Sequence, residues 1–270
     1  MRLVTRSAQY DYEGYCWWCG DVANSREHKW KKSELTAIYG SANSESYPLT
    51  WVDDDGRSKL IQGPNSVLVK FESSLCQNCN NSKSQPFDHA YDLWIKYLVA
   101  NYEQLIEQRV IDLRVIVDPA EYETFRLNLA KYFTKHICCR IADGSAAKVP
   151  DSVIAFLDGK SEDSRFVWSE ICLNKLALEH HDARRYRLGM SRTVGDFHGE
   201  GTALTSLKGA LLHGALQIVW DINLDPGRDD DGNGILTNDL HPLRVIDEDL
   251  YTHQFLVFDS DNSLGEKLSP

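Results

Sequence analysis

The sequence contains no apolar run that approaches the ~20 residues of a membrane-spanning helix. Its first fourteen residues, MRLVTRSAQYDYEG, lack the apolar segment of a secretory signal peptide. It also shows no internal repeat and no low-complexity tract, which excludes a repeat array. From these absences we expect a cytoplasmic protein that does not bind membranes.

Positive charge is also scarce, because the formal net charge is −11 at pH 7. Almost all of the acidic excess lies after residue 150. The local field, and not the total charge, steers a phosphate backbone. A local group of basic residues does occur in the first half, with Lys83 further along the chain. We call this group the basic cluster; it consists of Arg26, Lys29, Lys31 and Lys32.

The chain has 270 residues, of which 42% are hydrophobic and 26% are charged. These values are ordinary for a globular protein with room for one large or two medium domains. We predict an α+β fold with an N-terminal domain over residues 1–118 and an α+β C-terminal domain over residues 119–270. Residues 36–65 form an insertion that contains a hairpin.

Hydrophobic periodicity predicts the main elements. Apolar residues recur on one helical face over residues 88–111, and alternation favours a strand over residues 66–71 that leads back to the second cysteine pair. The other predicted helices are 119–141 and 150–157, and the later strands are 166–168, 186–188, 216–222 and 254–258.

Four of the seven cysteines form two Cys-x-x-Cys pairs, Cys16/Cys19 and Cys76/Cys79. Thiolates at positions i and i+3 can bind one Zn²⁺, and two such pairs complete a tetrahedral structural site. The 56 residues between the pairs exceed the usual spacing of about 15–20, so this stretch must be a folded insertion. The alternative is four unconnected buried cysteines.

Two short motifs accompany the cysteine pairs. Glu27-His28 lies between them, and Asn80-x-x-Lys83 follows the second pair directly. In this order of elements, over roughly residues 12–100, the sequence resembles the zinc-bearing form of the HNH (ββα-metal) endonuclease family. The resemblance implies a zinc-stapled ββα core and a hydrolase that cleaves phosphodiester bonds.

The resemblance also implies a role for each motif residue. His28 is the general base that activates a water, and its ordinary pKa of ~6.5 suits this role near neutral pH. Glu27 and Asn80 are ligands of a catalytic Mg²⁺ or Mn²⁺, which takes further oxygens from water and phosphate. Lys83 and the basic cluster hold the nucleic-acid backbone, and double-stranded DNA is the expected partner.

The sequence departs from the family pattern in several places. The family has an Asn or His shortly before the second cysteine pair to orient the base, but residues 70–75 read KFESSL. Asn65 lies further back and is a substitute for that role. Asn81 competes with Asn80 as metal ligand, and Glu27 replaces the more frequent Asp. His89, in the first turn of the long helix, is a further candidate metal ligand or a surface residue.

Two other motifs have simpler readings. Residues 229–234 (DDDGNG) resemble the start of a calcium loop, but Leu240 stands where the loop needs a bidentate Glu, so a polar turn is expected. A basic stretch at residues 180–187 with Arg192 can contact nucleic acid or a partner, or be a solvated face. Cys138 and Cys139 are expected to pack in the core.

Two classes of function follow. One is a metal-dependent HNH endonuclease whose C-terminal domain provides target recognition, homodimerisation or docking of a partner, in a restriction or anti-phage defence role. The other is a non-catalytic zinc-ribbon module that binds nucleic acid or protein. The motif residues Glu27, His28 and Asn80 favour the enzyme, because a ribbon needs none of them. The acidic second half weakens non-specific DNA binding, so activity can depend on a partner or a modified target.

Overall fold

The computed structural model describes residues 2–3, 12, 14–39, 49–52, 57–143, 147–179, 188–191, 193–198, 203–225, 232–236, 238–246 and 254–258. These residues form a mixed α+β structure, which confirms the predicted fold class. Residues on both sides of position 118 contribute to one hydrophobic cluster, and the domain boundary there stays a prediction. The basic stretch at 180–187 with Arg192, and residues 229–231 of the polar turn, lie outside the described residues.

Two long helices dominate the described residues. They are α2 (Gln85–Gln108) and α3 (Tyr122–Asp143), and the shorter helices are α1 (Lys32–Tyr39), α4 (Asp151–Leu157) and α5 (Lys175–Glu179). In α2 the buried face follows the predicted periodicity through Tyr91, Trp94, Ile95, Leu98, Tyr102 and Leu105. A π-helix at Asn78–Lys83 precedes α2, and Arg109 ends α2 in the left-handed conformation with φ 54°.

The strands that the structure describes form one large sheet and one small sheet. The strands are β1 (Arg2–Leu3), β2 (Leu49–Val52), β3 (Ser58–Leu60), β4 (Val110–Asp112), β5 (Val167–Asn174), β6 (Leu188–Met190), β7 (Val194–His198), β8 (Ala203–His213), β9 (Leu216–Asn223), β10 (Leu240–Pro242), β11 (Arg244–Ile246) and β12 (Gln254–Phe258). The large sheet has the order β11-β5-β9-β8-β6-β12-β2-β3, with β7 paired to β8 and to β1. The small sheet pairs β4 with β10.

The pairings also link the insertion to the later part of the chain. Strands β2 and β3 form the hairpin that the sequence predicts within residues 36–65. Strand β2 pairs on its other side with β12, whose residues are at positions 254–258. The hairpin therefore forms one edge of the large sheet and is not a separate two-stranded unit.

One predicted strand is wrong. Over residues 66–71 the chain forms a 3₁₀ helix at Val67–Val69, which the Ser66 side chain caps by accepting the Leu68 N–H. Only Lys70 makes a β-bridge, with His28. The Gly63-Pro64-Asn65-Ser66 turn chemistry thus overrides the alternating pattern.

The three predicted helices after residue 80 and the predicted strands 166–168, 216–222 and 254–258 are confirmed, most of them with shifted ends. Of the predicted strand 186–188, residue 188 begins β6, and residues 186 and 187 lie outside the described residues. Helix α2 begins three residues earlier than expected, and α3 begins three residues later. The polar-turn reading fits the residues that are described there, because the Asn233 side chain bonds the backbone N–H and carbonyl of Ser169. No helix among the described residues combines the length and apolar character that a membrane crossing requires.

Helix α3 is the central element of the packing. It is buried continuously from Leu129 to Ala142, and this stretch includes four basic residues, Lys131, Lys135, His136 and Arg140. His136 Nε2 lies 3.0 Å from the carbonyl of Lys29. Arg140 donates to the carbonyls of Ser191 and Ala210, and its guanidinium lies 5.1 Å from the centre of the Trp220 ring. Helix α3 therefore joins the N-terminal segments to the large sheet through polar contacts.

The burial of His136 predicts an acid-sensitive fold. Burial, and next the charge of Arg140, lower the pKa of His136 to about 3. The unfolded state therefore binds one more proton than the native state at pH values between about 3 and 6.5, and stability falls as pH drops through that interval. His136→Gln keeps a hydrogen-bond donor for the Lys29 carbonyl but does not titrate. Between pH 7 and pH 5 we expect its free energy of unfolding to fall by about 2 kcal/mol less than that of the wild type. Urea unfolding at the two pH values measures this, and equal losses in both proteins would contradict it.

Candidate functional site

The four cysteines of the two Cys-x-x-Cys pairs meet in one cluster. Their sulfur atoms all lie within 4.8 Å of one another. The sulfurs of Cys19 and Cys76 are 3.6 Å apart, far beyond the ~2.05 Å of a disulfide. A tetrahedral site with Zn–S bonds of ~2.3 Å has sulfur–sulfur edges of about 3.8 Å. The cluster can therefore hold a metal such as zinc.

Local structure explains how each pair is presented. The first pair lies on a tight turn. In this turn the backbone carbonyl of Asp21 accepts the Cys16 N–H at 2.7 Å, and Gly20 adopts φ 81°. The second pair flanks the start of the π-helix, where Cys79 donates its N–H to the Cys76 sulfur. Burial raises the pKa of Cys19 to about 11 and raises that of Cys79. A bound divalent cation reverses this effect, because it stabilises thiolates.

The cluster fastens two extended segments to a helix. Residues 24–29 run antiparallel to residues 69–75, and the π-helix and α2 follow directly. The backbone bonds that join the segments are Asn24 and Ser25 N–H to Leu75 C=O, Phe71 N–H to Glu27 C=O and Lys29 N–H to Val69 C=O, at 2.8–3.0 Å. The order is two extended segments and then a helix, with Glu27 and His28 on the first segment.

Glu27 is buried and paired with a residue that the sequence did not suggest. Its Oε2 lies 2.7 Å from the ammonium of Lys135 on α3. The same ammonium lies 3.3 Å from Asp88 Oδ1 and 3.2 Å from Ser84 Oγ, both near the start of α2. Burial by itself lowers the pKa of the Lys135 amine. The negative charges of Glu27 and Asp88 together have the larger, opposite effect, so the pKa is raised. Burial also raises the pKa of Asp88.

His28 faces away from Glu27, as successive residues of an extended chain do. Its ring makes a hydrogen bond to the backbone of Pro64, and its Nε2 is buried with no partner among the described residues. Burial, followed by the charge of Lys70, lowers the pKa of His28 to about 4. Asn65, the expected orienting residue, is exposed. The contact that orients the His28 ring is therefore a backbone group and not an Asn side chain.

Asn80 is the better placed of the two adjacent asparagines. It is buried, its Nδ2 donates to Ser25 Oγ at 2.9 Å, and no residue that the structure describes bonds its buried Oδ1. Its backbone carbonyl accepts the Ser84 hydroxyl at 2.7 Å, which links it to the Lys135 contacts. Asn81 and His89 are both exposed.

Most of the residues that were predicted to hold nucleic acid already have acidic partners. The ion pairs are Arg26–Glu72 at 3.0 Å, Lys31–Asp92 at 2.9 Å and Lys83–Asp158 at 2.7 Å. Lys29 is mostly buried beside Phe71, and burial lowers the pKa of its amine. Lys32 is exposed. The positive charge of this region is therefore largely compensated within the protein, and the nucleic-acid role of these residues stays a prediction.

The chain matches no protein-family model, no curated protein and no solved structure. The resemblance to the HNH family therefore rests on the motif residues and their order. The roles of Glu27, His28 and Asn80 stay predictions. The capacity of the four cysteines to hold a metal is supported by the distances between their sulfur atoms.

The cluster predicts a specific zinc dependence. We expect the purified protein to contain about one zinc per chain, and Cys79→Ser to lose most of it, because three ligands remain. Cys172→Ser is the matched control, since Cys172 is also buried but lies in β5. Metal analysis by mass spectrometry and thermal unfolding measure the two effects. Full zinc content in Cys79→Ser would show that this cluster is not the metal site.

Proposed function

We propose that the protein is a metal-dependent endonuclease of the HNH type that hydrolyses phosphodiester bonds of double-stranded DNA. One observation carries this proposal: the cysteine cluster fastens an antiparallel pair of segments to a helix, with Glu27-His28 on the first segment and Asn80 at the start of the helix. Ser25 bonds Asn80 directly, and the Lys135–Ser84 contact connects Glu27 to the same turn.

In this proposal His28 removes a proton from the attacking water. Its Nε2 has no hydrogen-bond partner in the described part of the chain, while the ring is held by the Pro64 backbone. The lowered pKa keeps the ring neutral, which is the form that a general base needs, but it also makes His28 a weaker base than an imidazole of ordinary pKa. Glu27 and Asn80 would hold the divalent metal through carboxylate and amide oxygens, which are hard ligands suited to Mg²⁺ or Mn²⁺. When bound, the metal supplies electrostatic stabilisation of the charge on phosphate.

In this proposal the residues after 118 recognise the target, dimerise or dock a partner protein. A nuclease core with such an additional part fits a restriction or anti-phage role. The acidic charge of this part supports a dependence on a partner or a particular target, because like charge repels the DNA backbone.

A second candidate is a non-catalytic zinc module that binds nucleic acid or protein. It is favoured by the engagement of Glu27 with Lys135 and by the ion pairs that compensate Arg26, Lys31 and Lys83. A binding module needs no free carboxylate, whereas a metal-dependent nuclease does.

The first test of the nuclease is plasmid nicking. We expect supercoiled DNA to be nicked in the presence of Mg²⁺ or Mn²⁺, and His28→Ala to reduce the rate by at least ~100-fold, the usual contribution of a general base. Zinc content and melting temperature must match the wild type. If cleavage persists in a folded His28→Ala protein, the base is assigned wrongly; if neither protein cleaves DNA but both bind it, the second candidate is supported.

The two asparagines provide a paired test of the metal ligand. We expect Asn80→Ala to lose most of the metal-dependent nicking, because its amide oxygen is the proposed ligand. Asn81→Ala should keep wild-type activity, since Asn81 is exposed beside it. Nicking rates as a function of Mn²⁺ concentration measure the effect, and the reverse ranking would move the ligand to Asn81.

A further inference from the structure

Lys135 already fills a cation position in the candidate site. Its ammonium lies 2.7 Å from Glu27 Oε2, 3.3 Å from Asp88 Oδ1 and 3.2 Å from Ser84 Oγ. An ammonium group has three N–H donors, so these three oxygens satisfy it. The Lys135 side chain is completely buried, and two separate parts of the chain, the first extended segment and the start of α2, supply these contacts.

The same three oxygens suit a divalent metal. Carboxylate and hydroxyl oxygens are the hard ligands that Mg²⁺ and Mn²⁺ prefer. A Mg²⁺ ion binds oxygens at ~2.0–2.1 Å, so it cannot share the Glu27 Oε2 position with an ammonium that is 2.7 Å away. Either cation can occupy this position, but not both.

The charge of the surroundings favours a divalent occupant. Lys31 lies 2.9 Å from Asp92 and 4.0 Å from Asp88, next to the Lys135 contacts. The carboxylates of Glu27, Asp88 and Asp92 thus face two ammonium groups, which leaves one negative charge. Replacing the Lys135 ammonium with a divalent cation makes this group neutral.

We propose that Lys135 and a divalent cation compete for Glu27 and Asp88, so that the Lys135-bound state is a resting form of the site. This inference rests on the proposed function, because it concerns the same Glu27 carboxylate and adds Asp88 and Ser84 to the metal ligands. Metal binding then requires the Lys135 side chain to leave the oxygens.

The helix that carries Lys135 also contacts the large sheet. Arg140, five residues later on α3, bonds the carbonyls of Ser191 and Ala210, and its guanidinium lies 5.1 Å from the centre of the Trp220 ring. Helix α3 therefore contacts both the candidate site and the large sheet.

Binding of Mn²⁺ tests the competition without any cleavage assay. Electron paramagnetic resonance of free Mn²⁺, in titrations of the zinc-loaded full-length protein, gives the dissociation constant. Lys135→Met removes the ammonium and keeps an unbranched side chain. We expect it to bind Mn²⁺ at least tenfold more tightly than the wild type, and Mn²⁺ to raise its melting temperature by more.

Lys131→Met is the matched control for this variant. Lys131 lies one turn earlier on α3, is also buried, and has its amine near the rings of Phe87 and Phe156. We expect this variant to bind Mn²⁺ with wild-type affinity. Tighter binding by Lys131→Met as well would show that any buried lysine of α3 has the effect, and would overturn the specific role of Lys135.

A second variant covers the case in which Lys135→Met does not fold without metal. Lys135→Gln is neutral but can donate a hydrogen bond to a carboxylate, and adding Glu27→Gln to either variant should abolish the gain. Folded Lys135→Gln with wild-type or weaker Mn²⁺ affinity would overturn the proposal. Tighter Mn²⁺ binding without DNA cleavage would support the Lys135 role and contradict the nuclease, whereas cleavage with unchanged affinity would overturn only the Lys135 role.

Discussion

A charged amine without access to water needs anionic partners, and at Lys135 this constraint holds three elements together. Moving an ammonium into a protein interior costs several kcal/mol even after relaxation. Glu27 and Asp88 offset this cost, so the first extended segment, the start of α2 and α3 must meet at one point. Removing a single partner of such a pair costs ~3–5 kcal/mol, because it leaves an uncompensated buried charge. Charge therefore fixes a geometry that apolar packing alone would leave adjustable.

The same reasoning extends along α3. Buried polar groups need partners, and those of α3 find them in different parts of the fold: His136 contacts the backbone at Lys29, whereas Arg140 contacts the backbone of the large sheet. The close approach of Arg140 requires Gly209, because a Cβ there would lie 3.0 Å from the guanidinium and 2.5 Å from the Trp220 ring. The helix is thus specified by directional contacts at defined positions, which supports a single register against its neighbours.

The sequence was informative where spacing along the chain determines contact in space. Cys16, Cys19, Cys76 and Cys79 reveal a metal cluster because the i, i+3 spacing fixes two sulfurs at a time, and the buried face of α2 repeats every three to four residues. Periodicity failed at residues 66–71, where the Ser66 cap favours a 3₁₀ turn. Periodicity also gave no sign of Lys135, since α3 is buried on every face from Leu129 to Ala142 and its polar residues there do not mark an exposed face. The partners Asp158 and Glu72 of the basic residues are distant in sequence, so their compensation of Lys83 and Arg26 could not be anticipated.

Those compensating ion pairs determine how a phosphate group would meet the proposed site. Exposed pairs contribute little to stability, but they reduce the positive field that attracts a phosphate backbone. Around Glu27 the described carboxylates outnumber the ammonium groups, so an approaching phosphate meets net negative charge. In the proposed nuclease a divalent cation at Glu27 removes that excess and contributes its own attraction. Binding of the metal and binding of the DNA backbone are then coupled, since each reduces the electrostatic cost of the other.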